Sequence, residues 1–382
     1  HAPQLMHSSV IVIAMAFFGL RLIRKFGVKI HTKMTNTLES SLVQLGEWLR
    51  GELKGQGAGD EGLLAKAEMQ NRWFTQESSK SAMHGCGNML QPDVLSDWLV
   101  RYDWSPNPKR EKKVGLVLAG NLPMVGWHDV MCVLMTGHTA VVKTSSSDTL
   151  LITAAIEAWQ SFLPEDEQLK VEWVQGKMGD VDAVIATGSA NTNRYFEHYF
   201  KDLPRVLRSQ RTSVAILDGS ETDEDIRALG QDIFQYFGMG CRSVTKLFLP
   251  LRFDLDRLFR VWVEWAELGN HNKYANNYDY HKAVWLLNQE PLIENGFVLL
   301  KEDPNFFSPV GSLFYSFYSD ETALRDHLEQ HAEQLQCVAT KNPQLYEDHS
   351  VSAVKFGQTQ SPLPWDYADG VDTISFLLGL YS

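Results

Sequence analysis

Cys241 has a setting that suits a nucleophile. It lies between the segment Gly238-Met-Gly and Arg242. The glycines leave room for a substrate to approach the sulfur, and a neighbouring guanidinium favours the thiolate, which is the reactive form of cysteine. A lone cysteine is more often a small buried apolar residue, and Cys86 is also flanked by glycines. Local composition therefore leaves both interpretations of Cys241 open.

Polar side chains at the ends of predicted strands are the other candidates for a site. Asn121 follows a short apolar strand in a Gly-Asn-Leu-Pro turn, where its amide can donate to a developing oxyanion. Lys143 ends the next strand and precedes Thr144 and three serines, which suits a ribose or a phosphate. Ordinary alternatives remain for both residues, because Asn and Gly are common in turns and Ser and Thr cap helices.

A third strand end is followed by the tripeptide Thr187, Gly188 and Ser189. A helix is predicted to begin near Ala190, so backbone N–H groups of the tripeptide would face a phosphate at a helix N-terminus. An ordinary capped turn is the alternative.

Alternating strands and helices position these candidates. Apolar residues recur at helical spacing from 37 to about 102, which predicts a helical N-terminal region. Strands are predicted at 114–119, 139–143, 181–186 and 213–217, with helical stretches between them. This alternation implies a mostly parallel sheet with ligands at the carboxyl ends of its strands. A second α/β region is predicted over 218–353, with Cys241 between a helix at 225–237 and a strand at 243–249.

The composition narrows the function classes. The chain has 382 residues, 44% hydrophobic and 21% charged, which is ordinary for a globular protein and long enough for two compact domains. Its net charge of −12 argues against a nonspecific nucleic-acid binder, because the phosphate backbone would be repelled. The four cysteines have neither disulfide-framework nor zinc-site spacing, so we expect no metal site and a reducing, cytoplasmic setting.

The first 33 residues differ in texture from the rest. An apolar run over 10–20 is followed by five basic residues. The run is too short to span a bilayer, and a signal peptide would have its basic residues before the run. We therefore expect the native protein to begin at Met34, with 1–33 as an extension outside the fold. The alternative is an interfacial anchor with a basic face.

In their order, these motifs resemble the aldehyde dehydrogenase superfamily. That superfamily has an Asn-Phe-Pro turn, a Gly-Asn-x-Val-Val-x-Lys strand, a Thr-Gly-Ser turn and a nucleophilic cysteine, followed by Glu-Ile-Phe-Gly-Pro-Val. In detail the chain is more similar to the acyl-CoA reductases related to the fatty acid reductase of bacterial luminescence. The segments that carry this resemblance are 120–129, 211–215, 238–242, 271–280, 306–310 and 366–373.

The resemblance implies an aldehyde dehydrogenase-like fold with two Rossmann-like α/β domains and a helical N-terminal region. Residues 34–217 would form the helical region and the nicotinamide-binding domain, and 218–350 the cysteine domain. Residues 351–382 would pack back on the core or form an oligomer interface.

The resemblance also implies a reaction, the reduction of an acyl-CoA thioester to an aldehyde. Cys241 would hold the acyl group, while Asn121 and the Cys241 backbone N–H would stabilise the oxyanion. The cofactor would be NADPH, with NADH as the alternative, and the residues that would hold it are Lys143, Thr187, Gly188 and Ser189.

The chain departs from the superfamily pattern at two places, and the first of them favours reduction over oxidation. Acid-forming members carry a glutamate base in a Glu-Leu-Gly-Gly segment, whereas the corresponding region near 212–217 has no carboxylate. A reductase needs no water-activating base, because hydride resolves its thioester. The glutamate of the Glu-Ile-Phe motif is also absent, with Asn305 nearby, which leaves ribose binding by that group in doubt.

Other polar residues have weaker assignments. His128 and His198 are candidate proton donors to the leaving group or the aldehyde, with a structural role as the alternative. The cluster Arg205, Arg208 and Arg211 would meet CoA phosphates, with a solvated helix face as the alternative. The Asn- and Tyr-rich stretch 274–280 is expected to form a folded loop near the site.

Two rival functions stay open beside the reductase. One is a cysteine-dependent acyltransferase or thioesterase without nicotinamide, and the other is a catalytically silent partner subunit. Besides an acyl-CoA substrate, we expect a homo-oligomer, with an acyl-activating enzyme as a further partner. We expect neither nucleic-acid binding nor an integral membrane span.

Overall fold

The computed structural model describes residues 34–53, 61–104, 111–145, 148–188 and 190–381. The leader over 1–33 and the candidate Ser189 lie outside the described residues, so the expectations for them stay predictions. No helix within the described ranges is long and apolar enough to cross a membrane.

Helices and strands alternate along most of the chain. The α-helices are α1 (Met34–Leu49), α2 (Glu61–Gln70), α3 (Gln76–Asn88), α4 (Pro92–Leu99), α5 (Trp127–Met135), α6 (Leu150–Ser161), α7 (Ala190–Tyr199), α8 (Asp223–Phe234), α9 (Leu255–Val261), α10 (Asn272–Leu287), α11 (Glu321–Gln330) and α12 (Thr373–Gly379). The strands are β1 (Lys113–Val117), β2 (Thr139–Lys143), β3 (Val171–Trp173), β4 (Ala183–Thr187), β5 (Arg205–Arg208), β6 (Thr212–Ile216), β7 (Val244–Pro250), β8 (Ile293–Glu294), β9 (Leu299–Glu302), β10 (Ser312–Tyr318), β11 (Leu335–Thr340) and β12 (Ala353–Val354).

The first sheet has five parallel strands in the order β3-β2-β1-β4-β5. Strands β1, β2 and β4 are apolar runs that are buried over most of their length, as expected for a parallel sheet covered on both faces. The chain order reverses direction between β1 and β4, so the crevice for a ligand lies beyond the carboxyl ends of these strands.

The helical N-terminal region is confirmed and packs on this first sheet. Leu42 and Leu45 of α1 are fully buried in the same apolar core as β1 and β2. The indole N–H of Trp159, on α6, donates to the Ser41 hydroxyl at 3.0 Å, which fixes α1 against α6.

The second sheet has seven strands in the order β12-β11-β6-β7-β10-β9-β8, all parallel except the short β8 at one edge. Strand β6 lies at the interior of this sheet and is hydrogen bonded to β7 and β11. The expectation that the strand at 213–217 belongs with the first three is therefore wrong. The chain passes from the first sheet to the second between Arg208 and Thr212. An apolar run in the sequence predicts a strand, but it does not show which strands will be its neighbours.

The stretch 274–280 is also not a loop, because it lies within α10. The ring of His271 caps this helix by accepting from the Tyr274 backbone N–H at 3.3 Å. Tyr274 and Tyr278, four residues apart, are buried on one face of the helix together with Trp285. The Asn residues between them obscure this helical spacing in the sequence.

The C-terminal segment crosses from the second sheet back to the first. Strand β12 pairs with β11, whereas α12 packs on α5 with Ile374 and Leu377 fully buried. The His138 ring lies 3.0 Å from the carbonyl oxygen of Leu377. One segment therefore contacts both sheets next to the boundary between them.

Candidate active site

Cys241 differs from the other three cysteines in its exposure. Cys132 and Cys337 are buried and Cys86 is half-buried within α3, whereas Cys241 is exposed. It lies in the connection between α8 and β7, three residues before the strand begins. Exposure is what a nucleophile needs and a packed core cysteine lacks, so the structure separates Cys241 from Cys86 where local composition did not.

Both peptide groups around Cys241 are held by serines. The Ser243 backbone N–H donates to the carbonyl of Gly240 at 3.0 Å, and the Ser213 hydroxyl donates to the carbonyl of Cys241, also at 3.0 Å. The Ser243 hydroxyl in turn accepts from the Gly240 N–H at 3.1 Å. No backbone carbonyl among the described residues accepts from the Cys241 N–H.

Asn121 lies against the same loop. Its amide nitrogen is 3.5 Å from the carbonyl oxygen of Met239, two residues before the cysteine. Leu122 also approaches the loop, since a Cβ built on Gly240 would lie 3.1 Å from its side chain. The turn after β1 of the first sheet and the loop before β7 of the second sheet are therefore in contact, and Asn121 is exposed where they meet.

The thiol of Cys241 is less acidic than an ordinary cysteine. The protein packed around it raises its pKa, and the guanidinium of Arg242 only partly offsets this effect. The carboxylate of Asp369 acts in the same direction as burial and raises the pKa further. The sulfur is therefore mainly a thiol at neutral pH, and a proton must leave it before it can attack.

The candidate cofactor residues lie together at the carboxyl edge of the first sheet. Lys143 ends β2 and Thr187 ends β4, the strands on either side of β1. Gly188 follows directly, and a Cβ there would lie 3.0 Å from each of three atoms of Thr192, Asn193 and Phe196. Only a glycine brings the backbone this close to the start of α7.

This edge fits a nucleotide. The side-chain oxygen of Asn193 is buried and has no hydrogen-bond donor among the described residues. It faces the Gly188 turn, where it could accept from a hydroxyl group. Lys143 is half-buried at the carboxyl end of β2, which is the edge where a phosphate or a ribose would lie. Residues Lys143, Thr187 and Gly188 therefore stand where a dinucleotide is bound in open α/β sheets.

His128 does not face the cysteine. One ring nitrogen lies 2.9 Å from the carbonyl oxygen of Pro364 and the other lies 3.8 Å from the Cys132 sulfur. The ring stacks on Trp98, and burial lowers its pKa. Both nitrogens are thus engaged inside the first core, which supports the structural alternative for this histidine.

His198 lies in the last turn of α7 and is exposed. No contact joins it to the cysteine loop among the described residues. Its assignment as a proton donor stays a prediction without structural support.

Arg208 is not available to a CoA phosphate. Its guanidinium is buried and forms a two-pronged ion pair with Asp129, at 2.6 and 3.0 Å. Its remaining N–H groups donate to the Ala368 carbonyl and the Thr373 hydroxyl. Burial pushes the pKa of Asp129 up, but Arg208 more than offsets this, so the net shift is downward and the pair is charged.

Arg205 and Arg211 are also engaged within the chain. Arg205 is at the amino end of β5, away from the carboxyl edge, and donates to carbonyls at the end of α7. Arg211 donates to the carbonyl of Leu335 at 2.9 Å and lies 3.0 Å from the carboxylate of Asp369. Arg208 and Arg211 thus both bind the segment 368–373, whereas Arg205 lies at the other end of β5, so the three arginines do not form one open cluster.

A cavity of about 390 Å³ opens beside the cysteine loop. Arg242, Arg211 and Asp369 lie in its wall, together with Trp365. Asp369 has a left-handed backbone with φ of 59° and accepts from the Ser209 N–H at 3.0 Å. The sequence did not single out this half-buried carboxylate, although it is one of the acidic residues of the motif 366–373.

Among the described residues, no group of three or more His, Cys, Asp or Glu side chains could hold a metal ion.

Curated proteins with similar sequences include acyl-protein thioester reductases. No protein-family model matches the chain. The long-chain acyl-protein thioester reductase of Aliivibrio fischeri is 25% identical over 276 residues, which cover 66% of this chain and 56% of that protein. The long-chain acyl-protein thioester reductase 2 of Photobacterium leiognathi is 23% identical over 278 residues, covering 64% and 56%. The chain therefore spans about half the length of the curated relatives it matches.

Solved structures with this fold are aldehyde dehydrogenases. Aldehyde dehydrogenase 21 of Physcomitrella patens, in complex with succinate, gives a TM-score of 0.64 at 12% identity over 90% of this chain and 84% of that one. An aldehyde dehydrogenase of Bacillus cereus in complex with NAD+ gives 0.56 at 15% identity, over 84% and 76%. The chain thus has the aldehyde dehydrogenase fold and is related in sequence to the long-chain acyl-protein thioester reductases.

Proposed function

We propose that the protein reduces an acyl thioester to an aldehyde through an acyl group carried on Cys241. The observation that carries this proposal is the contact between Asn121 and the cysteine loop, which joins two sheets at one exposed thiol. An amide and a free backbone N–H beside a thiol are the parts that acyl transfer requires.

In the first step the Cys241 thiol loses its proton to solvent and the sulfur bonds to the thioester carbonyl carbon, and the departing thiolate later takes up one proton from solvent. The carbonyl oxygen becomes an oxyanion, which the Asn121 amide and the Cys241 N–H stabilise. Collapse of this intermediate breaks the bond to the departing thiol and leaves the acyl group on Cys241. Covalent catalysis of this kind divides one difficult step into two easier ones.

A nicotinamide cofactor, when bound, supplies the hydride that reduces the acyl group. Lys143, Thr187 and Gly188 would hold it, with Ser189 as a further contact. The product on the sulfur is a thiohemiacetal, whose breakdown frees Cys241 and releases the aldehyde. We propose NADPH rather than NADH, because the three residues 145–147 after Lys143 and Thr144 are serines, with no carboxylate to repel a 2′-phosphate.

The preference for reduction rests on the absence of a base in β6. Positions 212–217 contain no carboxylate, so nothing there would activate water against the acyl group. The relatives named acyl-protein thioester reductases support the same direction. We propose an acyl-CoA as the substrate, and an acyl-protein is the alternative that those names suggest.

The test is oxidation of NADPH, followed by absorbance, with acyl-CoAs of short, medium and long chain. Cys241→Ala should abolish the oxidation, while Cys86→Ala, which removes a thiol inside α3, should keep it. A chain-dependent signal that vanishes only in Cys241→Ala supports the reductase. Thioester cleavage without any nicotinamide would instead favour a thioesterase or acyltransferase, and inertness of Cys241 would favour a silent subunit.

We also propose a cytoplasmic homo-oligomer that works beside an acyl-activating enzyme. The four free cysteines suit a reducing compartment. Size-exclusion chromatography with light scattering would show the oligomeric state.

A further inference from the structure

Ser213 lies at the start of β6, within the segment where acid-forming relatives of this fold would carry a base. It is fully buried, and its hydroxyl has two neighbours. The carbonyl oxygen of Cys241 lies at 3.0 Å and the sulfur of Cys337, on β11, at 3.1 Å. Its backbone N–H also donates to the carbonyl of Ser243 at 3.2 Å.

The chemistry of the two neighbours sets the direction of this chain of hydrogen bonds. A carbonyl oxygen can only accept, so the single proton of the Ser213 hydroxyl goes to Cys241. The contact with Cys337 must then have the thiol as donor. Burial raises the pKa of Cys337 to about 11, so the thiol keeps its proton across the neutral range.

Because peptide groups are planar, the hydrogen bonds to the two carbonyls also set the direction of the Cys241 N–H. The carbonyl of Gly240 is held by the Ser243 N–H, so the Cys241 N–H in the same trans peptide must point the opposite way. The carbonyl of Cys241, in the next peptide, is held by Ser213. With both planes fixed, the backbone of Cys241 has little freedom, and its N–H and sulfur keep one relative orientation.

We infer that Ser213 is a positioning residue that, backed by Cys337, holds the Cys241 backbone so that its N–H meets the oxyanion of the acyl intermediate. The catalytic role of Ser213 rests on the proposed function, but the orientation of the Cys241 backbone can be tested without a nicotinamide. It assigns a task to a buried hydroxyl and a buried thiol that the reaction does not otherwise use.

The test uses a reagent that creates an oxyanion on Cys241 without any reduction. A long-chain alkyl trifluoromethyl ketone adds to the sulfur, forming a C–S bond while its carbonyl oxygen becomes the oxyanion. Iodoacetamide forms a C–S bond with loss of iodide and creates no oxyanion. The affinity for the ketone therefore reads the oxyanion site, and the alkylation rate reads only the thiol.

Ser213→Ala should weaken ketone binding by about 10-fold or more, while changing the alkylation rate by less than about 2-fold. The matched control is Ser41→Ala, because the Ser41 hydroxyl is also buried and also donates to a backbone carbonyl, that of Leu38. This control should leave both readouts unchanged. Unchanged ketone binding in Ser213→Ala, or an equal fall in both readouts, would overturn the positioning role.

Cys337 supplies a second pair of variants in case Ser213→Ala does not fold. Cys337→Ser keeps a donor to Ser213 and should retain ketone affinity within about 3-fold, whereas Cys337→Ala should weaken it several-fold. Equal behaviour of the two variants would contradict the relay through Cys337. These outcomes are independent of the reductase assay, so absence of NADPH oxidation with normal ketone effects would overturn the proposed function alone.

Discussion

At the scale of single residues, Cys241 and Asn121 have different proposed roles. In the proposed reaction Cys241 forms the bond to the acyl group, and Asn121 acts only when an oxyanion is present. The long 3.5 Å contact of Asn121 with the Met239 carbonyl is one that a substrate oxygen can replace with a shorter hydrogen bond. Variants of the two residues should therefore fail in different assays.

Asn121→Ala should lower thioester turnover by roughly 100- to 1000-fold, because a lost oxyanion donor typically costs about 3 to 4 kcal/mol of transition-state stabilisation. Alkylation of Cys241 by iodoacetamide should stay near the wild-type rate. Asn288→Ala is the control, since the exposed Asn288 amide contacts Glu290 and not the cysteine loop. Near-full turnover in Asn121→Ala would remove the oxyanion role.

The charges around Cys241 predict a pH dependence with a definite sign. Burial raises the thiol pKa, so the alkylation rate should climb as pH rises towards and beyond the ordinary cysteine pKa. Arg242→Gln removes a positive charge that stabilises the thiolate, so it should raise the pKa and slow alkylation at pH 8 by roughly 3- to 10-fold. Asp369→Asn removes a negative charge and should speed it.

Arg242→Lys keeps the charge and is the control for the packing of the guanidinium against Thr359 and Asp366. A rate–pH profile for each variant gives the pKa directly. Identical profiles for Arg242→Gln, Asp369→Asn and the wild type would show that these two groups do not control the thiol.

The sequence predicted individual residues unevenly, for a physical reason. Asn121 and Lys143 follow apolar strands, and the ends of parallel strands meet at one edge, so their grouping could be predicted. Arg208 could not be assigned correctly, because its partner Asp129 is distant in sequence and an arginine looks the same whether it binds a phosphate or a buried carboxylate. Asp369 was missed for the same reason, since only folding brings it near Cys241.

At the scale of elements, the ion pair Arg208–Asp129 connects parts of the chain that are far apart in sequence. Arg208 ends β5 and Asp129 lies in the first turn of α5, and both are buried. The Thr373 hydroxyl joins the pair from the start of α12. The pair therefore couples a strand end, a helix start and the C-terminal segment.

Arg208→Leu should lower the free energy of unfolding by about 3 to 5 kcal/mol, because it leaves Asp129 charged and buried without its partner. Arg205→Gln is the matched control on the same strand, and it should cost about 1 kcal/mol or less. Urea unfolding followed by tryptophan fluorescence measures both. Equal, small losses of unfolding free energy in the two variants would show that the ion pair contributes no more to stability than Arg205 does.

The turn between β4 and α7 gives a test of the cofactor edge. Gly188→Ala adds a methyl group 3.0 Å from side-chain atoms of Thr192, Asn193 and Phe196, so these side chains must move by a few tenths of an ångström. We expect at least about 10-fold weaker NADPH binding, with unchanged alkylation of Cys241. Gly179→Ala, where a Cβ would meet nothing within 4 Å, is the control. Fluorescence titration of NADPH compares them, and equal affinities would move the cofactor elsewhere.

The sequence predicted the bounds of elements that have a clear local pattern, but it did not predict which strands pair with each other. Strand β2 was predicted with its observed bounds, because it is an apolar run between a Gly-His turn and polar residues. Strand β6 was predicted as a strand but assigned to the wrong sheet, since its apolar texture carries no information on its partners β7 and β11. Helix α10 was misjudged as a loop because its buried face consists of tyrosine and tryptophan rather than aliphatic residues.

At the scale of the whole molecule, the site forms only because two sheets are held together. The first sheet supplies Asn121 and the cofactor edge, and the loop before β7 of the second supplies Cys241. The C-terminal segment contacts both, through α12 on α5 and through Asp366 at the Arg242 guanidinium. In the proposed reaction, the acyl group on Cys241 would meet the cofactor where the turn after β1 contacts the cysteine loop.

The most direct test of the central claim is mass spectrometry of the protein mixed with an acyl-CoA, first without and then with NADPH. We predict an acyl adduct on the peptide that contains Cys241, stable without NADPH and lost after its addition, with release of the aldehyde. No adduct on Cys241, or an adduct that water removes equally fast without NADPH to give the free acid, would contradict the account.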